Sequence, residues 1–190
     1  MKKVIIGYGG YAREIAEYLG GEVEFFVDEK YLQPGARPLT EFDPKKHSPL
    51  VAIGEPNARK KIVKSLPEDT QYFTFIHPTA TVGKTVSIGQ GSVIGPYSIV
   101  TTDVTIGQHC ILNLHNSVGH DCSIADYFSA MPGAIISGKV TVQERVYMGA
   151  NSTIRDGVSV CRDCVIGMNA CVSSDIEEPG IYIGIPARKK

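Results

Sequence analysis

The sequence has no excess of charge of either sign and no long apolar run. Its 190 residues include 19 Lys and Arg and 20 Asp and Glu, for a formal net charge of −1. Nucleic-acid binders carry a basic surface, so this balance argues against that class. No stretch approaches the roughly 20 apolar residues of a membrane span, and the start of the chain lacks the pattern of a signal peptide. We therefore expect a cytoplasmic protein that neither inserts into a membrane nor binds nucleic acid.

Cysteine is too sparse for a zinc framework. Of the five cysteines, Cys161 and Cys164 form a single C-x-x-C pair, and no second pair completes a zinc site. Cys110, Cys122 and Cys164 recur at positions that the repeat described below fills with small side chains, so we interpret them as core residues. No metal is expected.

What the sequence does contain is a six-residue repeat. From Ile76 to Val172 an apolar side chain recurs at every sixth position without a slip, and only Ala130 is smaller than valine. Four residues after each of these positions the side chain is usually small. Neither a helix, with a period of about 3.6, nor a strand, with a period of 2, produces a strict six. A fixed short period predicts a solenoid, in which each unit buries its apolar face by stacking on its neighbours.

Three hexads are expected to close one triangular coil, and coils stacked about 4.8 Å apart pair each short strand with the one above. The register never breaks, so no loop leaves a coil to cover a site. The walls of any site must therefore come from the N-terminal domain or from a neighbouring subunit. Flat-sided solenoids of this kind commonly associate as trimers, and we predict a homotrimer with sites between subunits.

The residues before the repeat alternate strand-like and helix-like patterns. Apolar runs predict four buried strands, at residues 3–7, 23–27, 50–54 and 71–76. Residues 12–19 have helical spacing, and Asn57 is suited to cap a helix that ends near Ser65. This alternation predicts a small α/β domain over residues 1–75. A solenoid domain with a C-terminal cap follows over residues 76–190.

A glycine-rich turn joins the first predicted strand to the first predicted helix. Gly7-x-Gly9-x-x-Ala12 fits a phosphate-binding fingerprint, and Asp28 follows about twenty residues on, at the end of the second strand. Backbone N–H groups at a helix start favour an anionic phosphate. The unit is only half of a dinucleotide-binding fold, so a nucleotide diphosphate suits it better than NAD. We predict a nucleotide-sugar site at Gly7, Gly9, Gly10 and Asp28; a packing turn without a ligand is the alternative.

Polar residues are densest over two hexads, at Asn113, His115, Asn116, His120 and Asp121. A carboxylate bonded to one ring nitrogen of histidine raises the basicity of the other. Neighbouring residues on a strand point to opposite sides, so a His120–Asp121 pair requires a turn, and the hexad pattern puts both residues in one. The pair is a candidate general base, and an inert surface histidine is the alternative.

Three features together carry a resemblance to a known family. They are the glycine-rich α/β unit, the unbroken hexads with Gly119-His120-Asp121-Cys122, and the tail Gly184-Ile185-Pro186-Ala187-Arg188. The chain resembles the bacterial hexapeptide-repeat sugar acyltransferases, which include sialic acid O-acetyltransferases and UDP-4-amino-sugar N-acetyltransferases. The resemblance covers essentially the whole chain. It implies that the solenoid is a left-handed parallel β-helix.

The resemblance also implies roles for individual residues. His120 matches the family's base, Asp121 the acidic residue that follows it, and Asn113 a polar position nearby. The backbone N–H of Gly138 matches a position that faces the thioester oxygen. Further contacts to CoA are implied for residues of the C-terminal coils and tail, namely Ala150, Met168, Ile185, Pro186 and Ala187. One departure is Ser129, where some relatives carry a second histidine.

The function that the resemblance implies is N-acetylation of a nucleotide-linked amino sugar by acetyl-CoA, in bacterial surface glycan biosynthesis. O-acetylation of sialic acid or another free sugar is the main alternative. An interface zinc hydratase using His115 and His120, an NAD-dependent enzyme and a non-catalytic solenoid are more distant ones.

Overall fold

A computed structural model describes all residues from Met1 to Lys190. They form two compact units, Met1–Thr74 and Phe75–Lys190.

The first unit is a four-stranded parallel sheet with two helices. Its elements are β1 (Lys2–Ile6), α1 (Gly10–Leu19), β2 (Glu24–Val27), β3 (Arg37–Pro38), β4 (His47–Val51) and α2 (Pro56–Ser65), with 3-10 turns at Glu29–Tyr31 and Leu39–Glu41. The sheet order is β3-β2-β1-β4. Strands β2 and β3 therefore lie on one side of β1 and β4 on the other. Ligands of open parallel sheets bind where the order reverses, outside the carboxyl ends of the strands, which in this sheet are those of β1 and β4.

Three boundaries in this part of the chain differ from the sequence prediction. The strand expected at residues 50–54 is β4, His47–Val51, which lies three residues earlier. Residues 71–76 do not form a strand of the first unit, because only Phe75–Ile76 is extended, and it pairs with the solenoid strand Val93–Ile94. Helix α2 begins before Asn57 rather than after it. Its cap is Glu55, whose carboxylate accepts the Asn57 N–H at 2.9 Å. A proline at the first helical position, as at Pro56, is favoured because its missing N–H would be unsatisfied there anyway.

The second unit is a stack of three-sided coils made almost entirely of two-residue strands. One face contains β5 (Phe75–Ile76), β8 (Val93–Ile94), β11 (Ile111–Leu112), β14 (Ser129–Ala130), β17 (Tyr147–Met148), β20 (Cys164–Ile166), β22 (Gly180–Ile183) and β23 (Arg188–Lys189). The second contains β6 (Thr81–Val82), β9 (Ile99–Val100), β12 (Ser117–Val118), β15 (Ile135–Ile136), β18 (Thr153–Ile154) and β21 (Cys171–Val172). The third contains β7 (Ser87–Ile88), β10 (Thr105–Ile106), β13 (Ser123–Ile124), β16 (Thr141–Val142) and β19 (Ser159–Val160).

All neighbours along a face are parallel and 18 residues apart up to the last coil, as in Thr105↔Ser123. Three hexads therefore make one coil, as predicted. The last strand, β23, is the exception, because it pairs antiparallel with β22 and closes the chain in a hairpin. The fold is a left-handed parallel β-helix that follows an α/β unit, and the predicted fold class is confirmed.

Each corner of a coil is a two-residue turn, and from Gly91 onward the second residue of the turn has a positive φ. Eleven such residues are not glycine, with φ between 53° and 60°. Asn, Asp and His tolerate this conformation better than most residues. It recurs every six residues from Gly91 to Asn169.

Three corners run along the prism. The His120 corner consists of the turns Lys84–Thr85, Thr102–Asp103, His120–Asp121, Gly138–Lys139 and Asp156–Gly157. The Tyr97 corner consists of Pro78–Thr79, Pro96–Tyr97, Leu114–His115, Pro132–Gly133, Ala150–Asn151 and Met168–Asn169. The third corner consists of Gln90–Gly91, Gln108–His109, Asp126–Tyr127, Glu144–Arg145 and Arg162–Asp163.

The repeated apolar positions form the interior of the coils. Ile94, Leu112, Met148 and Ile166 have no exposed surface at all. The prediction that every sixth residue points into a closed core is wrong at the first position, because Ile76 is 44% exposed. Ile76 lies on the first coil, which has no coil beneath it to complete its packing.

Candidate active site

His120 and Asp121 pair at the middle turn of their corner. The positive φ of Asp121, 59°, turns its side chain back along the corner. The Nδ1 atom of His120 lies 2.7 Å from the Oδ2 atom of Asp121. A carboxylate can only accept, so Nδ1 carries a proton, and in the neutral ring Nε2 is the nitrogen with the lone pair. Both side chains are about half exposed, at 56% and 51%.

Gly138 lies one coil beyond His120 on the same corner, and its Cα faces the imidazole. A Cβ atom at this position would lie 2.8 Å from both the Cε1 and the Nε2 atoms of His120. The next residue, Lys139, donates its backbone N–H to the His120 carbonyl at 2.7 Å. The structure therefore brings together three of the predicted residues, His120, Asp121 and Gly138.

Cys122 follows the pair directly but is not a candidate nucleophile. Its side chain is 2% exposed and its Sγ atom donates to the Ser137 carbonyl at 3.0 Å. Desolvation by burial raises the pKa of this thiol. A substrate cannot reach this buried thiol to form an acyl intermediate with it, so the chemistry of the corner depends on His120.

Asn113 is not brought to His120 within one chain. It directly precedes the Leu114–His115 turn of the Tyr97 corner, and its Oδ1 atom accepts the Leu114 N–H at 2.8 Å. His115 stacks on Tyr97 at the same corner, with ring centroids 5.1 Å apart. Asn116, which the sequence grouped with the site, is 2% exposed and binds the Asn113 carbonyl at 2.7 Å. It is a structural residue.

The residues predicted to contact CoA lie toward the C-terminal end of the Tyr97 corner and on the tail. Ala150 and Met168 are neighbours along this corner, and Met168 is 74% exposed. The tail is bound to the last coil by two backbone hydrogen bonds, from Ala187 N–H to the Cys171 carbonyl and from Cys171 N–H to the Gly184 carbonyl. Between these anchors Ile185 is 77% exposed and Pro186 is exposed. Together they form an apolar strip that is open to a ligand.

In the first unit, the glycine turn leaves one helix N-terminus open. Helix α1 has Gly9 at its cap, with no side-chain hydrogen bond and no acidic residue in its first turn. Gly7 has φ of 116°, which favours glycine, whereas Gly9 has φ of −71° and open space around its Cα. Asp28 follows β2 and is exposed, and its Oδ1 atom accepts the Lys30 N–H at 3.3 Å.

Comparison with known proteins finds several that are similar to this chain. Residues 139–174 match the family described as "Hexapeptide repeat of succinyl-transferase". The GDP-perosamine N-acetyltransferase of Escherichia coli O157:H7 is 33% identical over 109 residues, which are 57% of this chain and 49% of that protein. The chain thus spans about half the length of the curated relatives it matches.

Two solved structures align with this chain over its whole length. The acetyltransferase domain of PglB from Neisseria gonorrhoeae FA1090 is 26% identical, with a TM-score of 0.88 over 100% of this chain and 99% of that one. A mutant perosamine N-acetyltransferase from Caulobacter crescentus, in complex with CoA and GDP-perosamine, is 26% identical, with a TM-score of 0.91 over 100% and 97%. This chain is therefore similar, in sequence and in fold, to hexapeptide-repeat sugar acetyltransferases.

The chain also has site features that the sequence did not indicate. Glu55 fills the N-terminus of α2, which follows β4 at the same end of the sheet as the glycine turn. The sequence pattern that could have indicated this cap is an acidic residue directly before Pro56, because proline is favoured at the first position of a helix. The pairing of Ile5 with Leu50 places the Ile53–Gly54 segment beyond the end of β4, next to Gly7.

The structure has no group of three or more His, Cys, Asp or Glu side chains with the geometry to hold a metal ion. Neither helix of this chain has the length and apolarity that crossing a membrane requires.

Proposed function

We propose that this chain transfers an acetyl group from acetyl-CoA to the amine of a nucleotide-linked amino sugar. The observation that carries the proposal is the His120–Asp121 pair, whose free Nε2 faces Gly138 on an exposed corner. The relatives support this reaction, because one solved neighbour binds CoA and GDP-perosamine and another binds acetyl coenzyme A. Because acetyl-CoA is the proposed co-substrate, we assign the reaction to the cytoplasm.

In the proposed reaction the sugar nitrogen attacks the thioester carbonyl carbon. Nε2 of His120 accepts the proton that the nitrogen loses as the C–N bond forms. Asp121 holds the tautomer that leaves Nε2 unprotonated and stabilises the imidazolium. The N–H of Gly138 donates to no backbone carbonyl, so it is suited to the developing oxyanion. The C–S bond then breaks and CoA leaves as its thiol.

The glycine turn is the proposed binding site for the diphosphate of the nucleotide sugar. The two helix N-termini differ, since that of α2 is already occupied by the Glu55 carboxylate and that of α1 is open. An anion stabilises the partial positive charge of a helix N-terminus and satisfies its free N–H groups. We therefore assign the diphosphate to α1, with Gly7, Gly9 and Gly10 around it and Asp28 toward the ribose or base.

A homotrimer is proposed because the family residues divide between two corners. His120, Asp121 and Gly138 lie on one corner, whereas Asn113 and the residues assigned to CoA lie on the Tyr97 corner or beside it. Residues on two different corners of one subunit cannot come together in a single site. If the His120 corner of one subunit faces the Tyr97 corner of the next, each site is complete, and three copies close a ring.

Subunit complementation tests this arrangement. His120→Ala and Asn113→Ala should each be weakly active alone, and mixing them during assembly should restore about a quarter of wild-type activity if sites form between adjacent subunits at random. Activity of the co-assembled variants is the measurement, with light scattering for the oligomer mass. A mixture no more active than its parents would contradict shared sites, and full activity of Asn113→Ala alone would remove Asn113 from them.

Gly9→Leu is expected to raise KM for the nucleotide sugar by about tenfold, while KM for acetyl-CoA stays within about twofold. The side chain would enter space where nothing lies within 4 Å, so the fold should tolerate it. Gly7→Ala is the contrasting variant. Its φ of 116° and a Cβ 3.2 Å from the Ala52 carbonyl oxygen predict a lower Tm. An equal rise of both KM values for Gly9→Leu would argue against a nucleotide site at this turn.

The reaction itself is tested by measuring thiol release from acetyl-CoA in the presence of UDP- and GDP-amino sugars and free sialic acid. Turnover with a nucleotide amino sugar supports the proposal. Turnover with sialic acid alone would establish the O-acetyltransferase alternative. Failure to bind acetyl-CoA would exclude both.

A further inference from the structure

Two thiols bracket the last turn of the third corner. Cys161 and Cys164 stand on either side of Arg162–Asp163, with their Sγ atoms 3.5 Å apart. A β-turn brings the Cα atoms of its first and fourth residues within about 7 Å, and disulfides span roughly 4.4–6.8 Å between Cα atoms. The Sγ separation of 3.5 Å exceeds a disulfide bond of about 2.05 Å by about 1.5 Å, which side-chain rotation can close.

The two thiols differ in access. Cys161 is half-buried and lines a groove of about 350 Å³, together with Gln143, Asp175 and Glu177. Cys164 has no exposed surface, and burial raises the pKa of its thiol to about 12. A small oxidant that enters the groove therefore meets Cys161 first. Cys164 needs no access to solvent to reach a sulfur 3.5 Å away, and as it attacks the oxidised sulfur its proton can pass to the departing hydroxide.

The other two buried cysteines of the solenoid donate hydrogen bonds to backbone carbonyls at shorter distances. Cys110 donates to the Ala125 carbonyl at 3.2 Å and Cys122 to the Ser137 carbonyl at 3.0 Å. The corresponding contact of Cys164, to the Glu178 carbonyl, is longer at 3.6 Å. Cys164 is thus the interior thiol held least tightly by a carbonyl, and it has a second thiol beside it.

We propose that Cys161 and Cys164 form a redox-active dithiol that a peroxide converts into an intramolecular disulfide. The Cys161 sulfur attacks one peroxide oxygen, the O–O bond breaks, and the products are a sulfenic acid and water. The Cys164 sulfur then attacks the Cys161 sulfur, the S–O bond breaks, and a second water leaves with the Cys164 proton. Two thiols are oxidised and one peroxide is reduced to two waters. This site does not depend on the proposed acetyl transfer.

The disulfide would close the last turn of the third corner, beside the point where the C-terminal hairpin joins the solenoid. Cys164 pairs with Gly180 at the start of β22. Glu178, whose carbonyl accepts from Cys164, forms an ion pair with Lys189 of β23 at 2.8 Å.

The test uses the full chain treated with hydrogen peroxide, alkylated and digested with trypsin, which cleaves after Arg162, between the two cysteines. The expected product is a peptide containing Cys161 joined to the peptide containing Cys164, lighter by two hydrogen atoms than the separate thiol peptides. Dithiothreitol should separate them, as it reduces a disulfide but not a sulfinic or sulfonic acid. Thiol titration in denaturant should then recover all five thiols.

Matched serine variants identify which two cysteines form the disulfide. The Cys164 peptide also contains Cys171, which is half-buried, so Cys171→Ser is the control and should retain the joined peptide. Cys161→Ser should abolish it and leave Cys164 unoxidised. The proposal is overturned if Cys171→Ser yields no joined peptide, or if Cys161 accumulates only as sulfinic or sulfonic acid.

Discussion

Replacing His120 with alanine is expected to lower kcat by about 10²–10⁴-fold, the range that loss of a general base produces. The variant keeps both proposed binding surfaces, so KM for the nucleotide sugar and for acetyl-CoA should change far less than kcat. The physical reason is local. Nε2 is the free nitrogen of a ring whose other nitrogen is bound to Asp121 at 2.7 Å. The measurement is the steady-state rate of CoA release with the nucleotide amino sugar that the substrate panel identifies.

The fold should not be affected, because the His120 side chain is 56% exposed. An unchanged Tm therefore separates a loss of chemistry from a loss of structure. Asp121→Asn should lower kcat less than His120→Ala, since an amide oxygen still accepts from Nδ1 but carries no charge. Asp103→Asn is its matched control, as Asp103 is the aspartate one coil earlier on the same corner, and its variant should turn over normally. Near-normal turnover of His120→Ala would remove His120 from the proposed role.

The regular part of the fold was predictable because one rule is repeated without error. Each hexad supplies one inward apolar residue and one turn, so the pattern predicted the coil length and placed the His120–Asp121 pair at a corner. It failed where the repeat ends. Ile76 has the same sequence signal as Ile94, yet it is 44% exposed whereas Ile94 is fully buried. A periodic pattern does not report whether a coil has a neighbour on both sides.

The site was predictable only along one corner. Positions 18 residues apart stack, so His120 and Gly138 are neighbours in any three-sided solenoid of this period. Asn113 lies seven residues before His120, which corresponds to a different corner, so only a site shared between subunits would bring the two residues together. Asn116 was misread for a related reason, because its polar side chain occupies an inward position that the hexad pattern normally fills with a small residue.

The importance of Gly138 came from the resemblance alone, and the structure adds a steric reason. A Cβ at position 138 would lie 2.8 Å from two atoms of the His120 ring, well inside van der Waals contact. Gly138→Ala is therefore expected to displace the imidazole and to lower kcat by up to about 10²-fold, the cost of misplacing a catalytic group by about 1 Å. Because the displaced group is an exposed side chain and Gly138 has no positive φ, Tm should change little. Gly119→Ala is the contrasting control, since its Cβ would lie 2.6 Å from the Gly138 backbone nitrogen and should lower Tm.

A double-mutant cycle decides whether Gly138 acts through the ring. In a His120→Ala background the imidazole is gone, so adding Gly138→Ala should change the residual rate by less than about twofold. The two substitutions would then be strongly non-additive, as expected for residues in direct contact. If Gly138→Ala instead lowers the rate equally in both backgrounds, its effect does not pass through His120. The added methyl group would then be acting on the backbone N–H that is proposed to bind the oxyanion, and displacement of the imidazole would not be the cause of the lower rate.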